Sequence, residues 1–217
     1  MLYVHARRQW NKIQRAYRKH IGPARLRNAK PPVRIVIGAS GWCDPGWIPT
    51  EQSFLDLLNP WDWERFFKPD TVDAMLAEHV WEHLEPDQAY FAAKICYAYL
   101  KPGGYLRLAV PDGFHPNPEY IEWSRPGGRS PGQLSNDHRV LYTYITFRDL
   151  FQAAGFHTHL YEYFTEDGRF CQEHWSPADG MIRRSRAHDK RNRDGGFTYT
   201  SIIMDAVKGD GSFAWVS

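Results

Sequence analysis

Two short stretches gather the residues that could do chemistry. Glu78-His79-Val80-Trp81-Glu82-His83 puts two carboxylates and two imidazoles within six positions, and on a helical turn His79, Glu82 and His83 fall near one face. This HxxEH array is also the pattern of an inverted zinc-protease motif. The second stretch, Gly38-Ala39-Ser40-Gly41, follows a β-branched run directly, and a glycine turn in that place lets a ligand approach the backbone. Glu51 and Asp56 stand shortly beyond it. Further on, Asp112, His115, His138 and Tyr142 are groups able to exchange a proton with a bound substrate.

These residues need elements to hold them. Val72 to Ala77 is a strand by pattern, and Pro86 opens a helix that runs to about Tyr99. Lys101-Pro102-Gly103-Gly104 ends that helix, and Tyr105 to Val110 alternates before Pro111 stops it. Strand, helix, glycine turn and strand make a βαβ unit, which closes as a right-handed parallel crossover. Arg34 to Ile37 is a buried strand entering the Gly38 turn. Trp47 to Thr50 is a weaker strand with Glu51 at its end, and Asp62 to Phe67 a short helix. Thr146 to Ala154 is a helix capped by Thr146 and stopped by Gly155. Strands follow at Phe156 to Phe164 and Ser201 to Val207. Residues 112 to 138, rich in Gly, Pro and His, are too long for an ordinary connection, which predicts a functional lid or a disordered excursion.

A chain of 217 residues with 42% apolar and 15% aromatic residues can bury one substantial core. Residues 1 to 34 hold ten Lys/Arg and no Asp/Glu, leaving 17 basic against 25 acidic residues beyond them. Within that leader Trp10, Ile13, Tyr17 and Ile21 recur at helical spacing among basic residues, predicting an amphipathic helix that docks on the body, with Pro23, Pro31 and Pro32 ending it as a linker. The expected division is a leader over 1–33 and an α/β domain over 34–217. No apolar run reaches the roughly 20 residues of a membrane span, and no secretory signal is evident, so a cytoplasmic protein is expected. Cys43, Cys96 and Cys171 form no CxxC pair.

Three segments together resemble the class I S-adenosylmethionine-dependent methyltransferases: "RIVIGASG", "VDAMLAEHVWEHL", and "LKPGGYLRLAVPDG" followed by "TFRDLFQAAGF". More narrowly, "PDGFHPNPEYIEW", "DHRVLYTY" and "YTSIIMDAVK" are similar to a group of bacterial predicted methyltransferases of unassigned substrate. The resemblance covers about residues 34 to 207. It implies a Rossmann-like, mostly parallel sheet with helices on both faces and a C-terminal antiparallel hairpin. It also implies S-adenosyl-L-methionine as cofactor. On this resemblance Gly38, Ala39, Ser40 and Gly41 floor the methionyl part, Glu51 accepts the ribose hydroxyls, Asp56 contacts the adenine amino group, and Glu78 and His79 cover the cofactor. Asp112, His115 and His138 are then the candidate catalytic bases, Asp112 first.

The expected reaction is methyl transfer to a small-molecule or glycan acceptor. No metal is expected at HxxEH, because a strand precedes it where the protease motif has a long helix and a distant third ligand. The chain departs from the family's pattern in having Val36 in the first strand, "GASG" in place of a fuller glycine motif, and little room for a first helix after it. Two alternatives stay open: a degenerate methyltransferase fold acting as a binding module, and an RNA-modifying enzyme using the basic leader. Nucleic acid is not the favoured partner, and a homo-oligomer is left open.

Overall fold

The computed structural model describes residues 16–39, 43–128 and 137–210. In chain order the elements are α1 (Gly22–Arg27), β1 (Arg34–Ile37), β2 (Ile48–Pro49), α2 (Pro60–Phe66), β3 (Val72–Glu78), α3 (Pro86–Tyr99), β4 (Leu100–Pro111), α4 (Pro118–Ser124), α5 (Tyr144–Ala153), β5 (His157–Phe164), β6 (Phe170–Gln172) and β7 (Ser201–Val207). The seven strands form one sheet in the order β2-β1-β3-β4-β7-β5-β6. The first four positions run parallel, and β7, β5 and β6 are added antiparallel. The result is a Rossmann-like mixed sheet with an antiparallel C-terminal edge.

The alternation of side chains sorts each strand onto two faces. Ile35, Met75, Leu106, Leu108 and Met204 point to one side, where the larger apolar core lies under the helices. α3 starts on Pro86 behind a reciprocal Glu85–Gln88 capping box. It turns Ala89, Ala92, Ala93 and Cys96 inward, small side chains that let it lie close to the sheet. α5 is capped by Thr143, not by Thr146 as the sequence suggested; Thr146 sits one turn in and returns the bond to the Thr143 amide. α5 buries Phe147 and Phe151. Val36, Ala74, Leu76, Ala109 and Ile203 point the other way into a smaller apolar cluster.

That second face is covered by residues 173–200, which contain only short 3₁₀ turns. The segment is held by buried polar side chains. Arg107 pairs both ways with Asp205 at 2.8 Å, and its remaining nitrogen donates to the carbonyls of Ser176 and Gly180. Glu162, fully buried, accepts from the Trp175 indole and from the Arg186 backbone N–H. Asn192 bonds both backbone groups of Tyr199.

Of the leader, residues 1–15 lie outside the described residues. Pro23, expected to break a helix, instead stands at the start of α1, which continues directly from a π-helical turn over Tyr17–Ile21. Gly22 lies against the Phe54 ring, where a Cβ would stand 2.5 Å from the nearest ring carbon. Tyr17 donates to the Pro49 carbonyl at 2.6 Å and meets Phe54 edge-on. Residues 17–27 therefore dock on the body beside β2. Among the described residues no helix is long and apolar enough to cross a membrane.

Candidate functional site

In an open α/β sheet, ligands sit beyond the carboxyl ends of the strands where the strand order reverses. Here β1 lies between β2 and β3, so the reversal falls at β1 and β3. A cavity of about 430 Å³ opens at that place, lined by Val36–Ala39, Leu76 and Glu78, with Arg183 and Arg184 above. Gly38 turns the chain out of β1 with φ +64°, a conformation that favours glycine, and a Cβ there would press on Val80 at 3.0 Å. β1 returns to β2 without a helix among the described residues. Instead Thr50 donates its N–H and its hydroxyl to the Val36 carbonyl, and Ala39 donates to Thr50.

Glu78 ends β3 and accepts the Arg184 N–H at 2.7 Å. With Glu162 holding Arg186 two residues on, two carboxylates suspend the 183–186 strap above the cavity. Arg183 also pairs with Asp44.

His79 follows in the left-handed region at φ +57°, unusual for a side chain with a Cβ and typical of strain held at functional positions. Its Nε2 bonds Ser201 Oγ, and its Nδ1 lies 2.8 Å from Oε1 of the fully buried Glu82. Burial pushes the Glu82 carboxyl up to about 7 and holds His79 well below the usual histidine range, with the Arg184 charge lowering His79 further. His83 and His138 stack edge to face beside Glu82, ring centres 4.9 Å apart. The Arg139 N–H donates to the Glu82 carbonyl at 2.6 Å, and this tie brings His138 in.

The sequence-derived site residues divide accordingly. Gly38, Ala39 and Glu78 line the cavity, His79 adjoins it, and His138 joins the histidine cluster. Ser40 and Gly41 lie outside the described residues. Glu51 follows Thr50, whose carbonyl holds Ala39, so it stands next to the cavity rim without lining it. Asp56 is placed apart from the cavity: its carboxylate caps the Leu58 N–H and receives Gln52. Asp112 and His115 are not aimed at the cavity either. Asp112 is buried and accepts the N–H groups of Phe114 and Phe164, one on each oxygen; burial pushes its carboxyl up to about 6. His115 stacks on Tyr120, with one nitrogen bonded to the Phe197 carbonyl and the other to the Asn117 N–H; burial lowers it to about 4.

The stretch from Asp112 onward is thus partly a built element and not a structureless excursion. Asn117 caps α4, and Tyr120 is buried, donating to the Thr200 carbonyl and accepting from the Asp112 N–H. Residues 129–136 of that stretch, with Gly132, lie outside the described residues. Arg183, Arg184, Glu82 and His83 were not chosen from sequence. The two arginines sit in a segment without periodicity, whereas the HxxEH spacing did carry a signal for Glu82 and His83.

No family model matches the chain, and no curated protein matches it. Among solved structures it is similar to a SAM-dependent methyltransferase from Archaeoglobus fulgidus, at 12% identity, covering 91% of this chain and 94% of the other with a TM-score of 0.47. A SAM-dependent methyltransferase from Thermotoga maritima gives 14% identity, 93% and 97% coverage and a TM-score of 0.47. The Burkholderia thailandensis 1,6-didemethyltoxoflavin-N1-methyltransferase, solved with S-adenosylhomocysteine, gives 16% identity, 96% and 84% coverage and a TM-score of 0.44. Likeness at this level says nothing of a reaction. The strand order and the cavity carry the functional reading.

Proposed function

We propose that the chain is an S-adenosylmethionine-dependent methyltransferase acting on a small-molecule or glycan acceptor. The observation that supports this reading best is the cavity at the strand-order reversal, floored by Gly38-Ala39 and flanked by Glu78. Its size falls in the range of small-molecule sites, and Gly38 is exposed in its lining. On this reading Arg184 pairs with the methionyl carboxylate, the second oxygen of Glu78 takes the ammonium, and Glu51 accepts the ribose hydroxyls as charge-assisted bonds.

The cofactor supplies an activated methyl group for in-line displacement, and the chain's own work is alignment and proton removal. The 183–186 strap, held by Glu78 and Glu162, keeps bulk water off one side of the cavity. The His79–Glu82–His83–His138 cluster lies beyond Glu78 at the acceptor end. Asp112 and His115 are assigned no role in proton transfer, because their polar atoms are already engaged. An acceptor without a long phosphate backbone suits a body with 25 acidic against 17 basic residues beyond residue 34.

The test is calorimetric titration of the purified chain with S-adenosylhomocysteine. Micromolar affinity or tighter is expected. Gly38→Val should abolish binding with a native circular dichroism spectrum, and Glu51→Ala should weaken it by about 1.5–3 kcal/mol. No heat and no thermal shift at millimolar ligand would remove the enzymatic reading.

A further inference from the structure

The turn after β3 contains a polar cluster that its own hydrogen bonds leave incomplete. Glu82 is fully buried, and neither carboxylate oxygen has a hydrogen-bond partner. Buried polar atoms in that state are rare in native proteins and call for a physical reason. Ser201 Oγ donates to the Arg184 carbonyl, so toward His79 it can only accept, which puts the proton of a neutral His79 on Nε2. The bare Nδ1 then faces Glu82 Oε1 at 2.8 Å, without hydrogen-bond geometry between them. Two lone-pair atoms at that distance repel unless a proton or a cation stands between or beside them.

His138 arrives with its electronics fixed in the same sense. Its Nδ1 is 2.8 Å from the Ser124 carbonyl, which can only accept, so the proton is on Nδ1 and Nε2 offers a lone pair. An imidazole oriented through its far nitrogen in this way is the usual support of a metal-binding histidine. The Nδ1 of His83 is also buried without a hydrogen bond, with the Asp137 carboxylate 3.2 Å away. One donor atom from each of Glu82, His83 and His138 lies within 4.8 Å of the others. Ligands about 2.0–2.2 Å from a common tetrahedral ion stand about 3.3–3.6 Å apart, so side-chain rotations of about 1 Å would close the site.

We propose that Glu82, His83 and His138 form a binding site for a divalent first-row transition metal ion, with His79 as an adjoining donor. Two imidazoles and a carboxylate suit zinc, manganese or cobalt better than calcium or magnesium, which prefer all-oxygen shells. Three protein ligands would leave a position for an exogenous oxygen, as in catalytic zinc sites. The sequence alone argued against a metal here because a strand precedes the array where the protease motif has a longer helix and a distant third ligand. His138 supplies it, 55 positions beyond His83 in the chain. Glu78 lines the cofactor cavity and His79 is its chain neighbour, so the ion would stand at the acceptor end. Cation binding itself does not depend on the methyltransferase reading.

The experiment is titration of the chelator-treated full-length chain with zinc, cobalt and magnesium chlorides by calorimetry, with visible absorption of the cobalt form. One zinc or cobalt ion per chain at micromolar affinity or tighter, and a much weaker response to magnesium, is the expected result. Glu82→Gln and His138→Ala should each weaken zinc binding at least tenfold, and His138→Ala should change the cobalt spectrum; the exposed His174→Ala should do neither. His83→Ala removes a half-buried side chain and should also weaken zinc binding at least tenfold, so it remains informative if the buried Glu82 and His138 variants fail to fold. Absence of zinc and cobalt binding would overturn the proposal. Affinity unchanged in His138→Ala would overturn it equally. Binding of S-adenosylhomocysteine measured on the same samples keeps this outcome separate from that of the cofactor site.

Discussion

The two faces of the sheet are covered by opposite means. On one side α3 and α5 lay small and aromatic residues onto Met75, Leu106, Leu108 and Met204, and the contact is apolar throughout. On the other, an irregular segment is tied down by Arg107, Asp205 and Glu162, with only a small apolar cluster beneath it. Apolar contact is non-directional and tolerates many sequences, whereas a buried charge fixes its partner to a few tenths of an ångström. The cavity lies on the charged side. A site that must place Arg183 and Arg184 over a ligand is thus held by directional bonds, while the helical side supplies general stability.

Adjacent residues on the two faces break the comparison most sharply. Asp205→Ala would leave the Arg107 guanidinium buried without its carboxylate and should cost about 3–5 kcal/mol. Leu106→Ala, a cavity on the helical side, should cost about 2–5 kcal/mol. Urea unfolding gives both losses. Native-state hydrogen exchange separates them: residues 173–186 should open selectively in Asp205→Ala, whereas Leu106→Ala should lower protection across the sheet. Equal patterns in the two variants would show that the cover is not a separately anchored unit.

The anchor at the far end of the cover titrates. His115 falls to about 4 when buried, against about 6.5 in an unfolded chain. The unfolded state therefore binds more protons between those values, and stability falls as pH drops from 6.5 toward 4. Asp112, raised to about 6, acts oppositely: its ionisation disfavours the fold, so acidification from 6 toward 4 relieves that cost. The two effects offset in one window. His115→Gln removes the first, and at pH 4.5 its stability loss relative to pH 7 should be smaller than the wild-type loss by about 2–3 kcal/mol. Parallel pH profiles for the two proteins would contradict the assignment.

Glu162→Gln gives a smaller effect. A carboxamide can accept from the Trp175 indole or the Arg186 N–H through its oxygen, but its NH₂ faces the other donor. About 1–3 kcal/mol should be lost, together with affinity for S-adenosylhomocysteine, because the strap hangs from that bond. A stability loss with unchanged affinity would detach the strap from the site.

The helical side was largely legible in the sequence. Val72 to Ala77, Pro86 to Tyr99 and Ser201 to Val207 were placed nearly to the residue, because Pro86 marks a helix start and periodicity fills the rest; Lys101-Pro102-Gly103-Gly104, expected as a turn, instead lies within β4, where the β3–β4 register shifts. The cover was not legible: residues 173–200 have no period, and nothing local shows that Glu162 and Arg107 point inward to hold them. The same gap explains the bases. Asp112 and His115 stand where a loop meets a strand end, a position that suits catalysis and anchoring alike, and only their partners Phe164 and Phe197, about 50 and 80 positions away, decide for anchoring. His138 was chosen for its chemistry, but its meeting with Glu82 depends on the Arg139 amide finding a carbonyl 57 positions back.

The central claim is that the cavity under the strap is the cofactor site, and hydrogen exchange of the wild-type chain with and without S-adenosylhomocysteine tests it most directly. Protection should rise at residues 37–39, at Glu78 and His79, and across 183–186, with residues 157–172 on the distant edge unchanged. Binding that protects none of these, or protects only the distant edge, would contradict it.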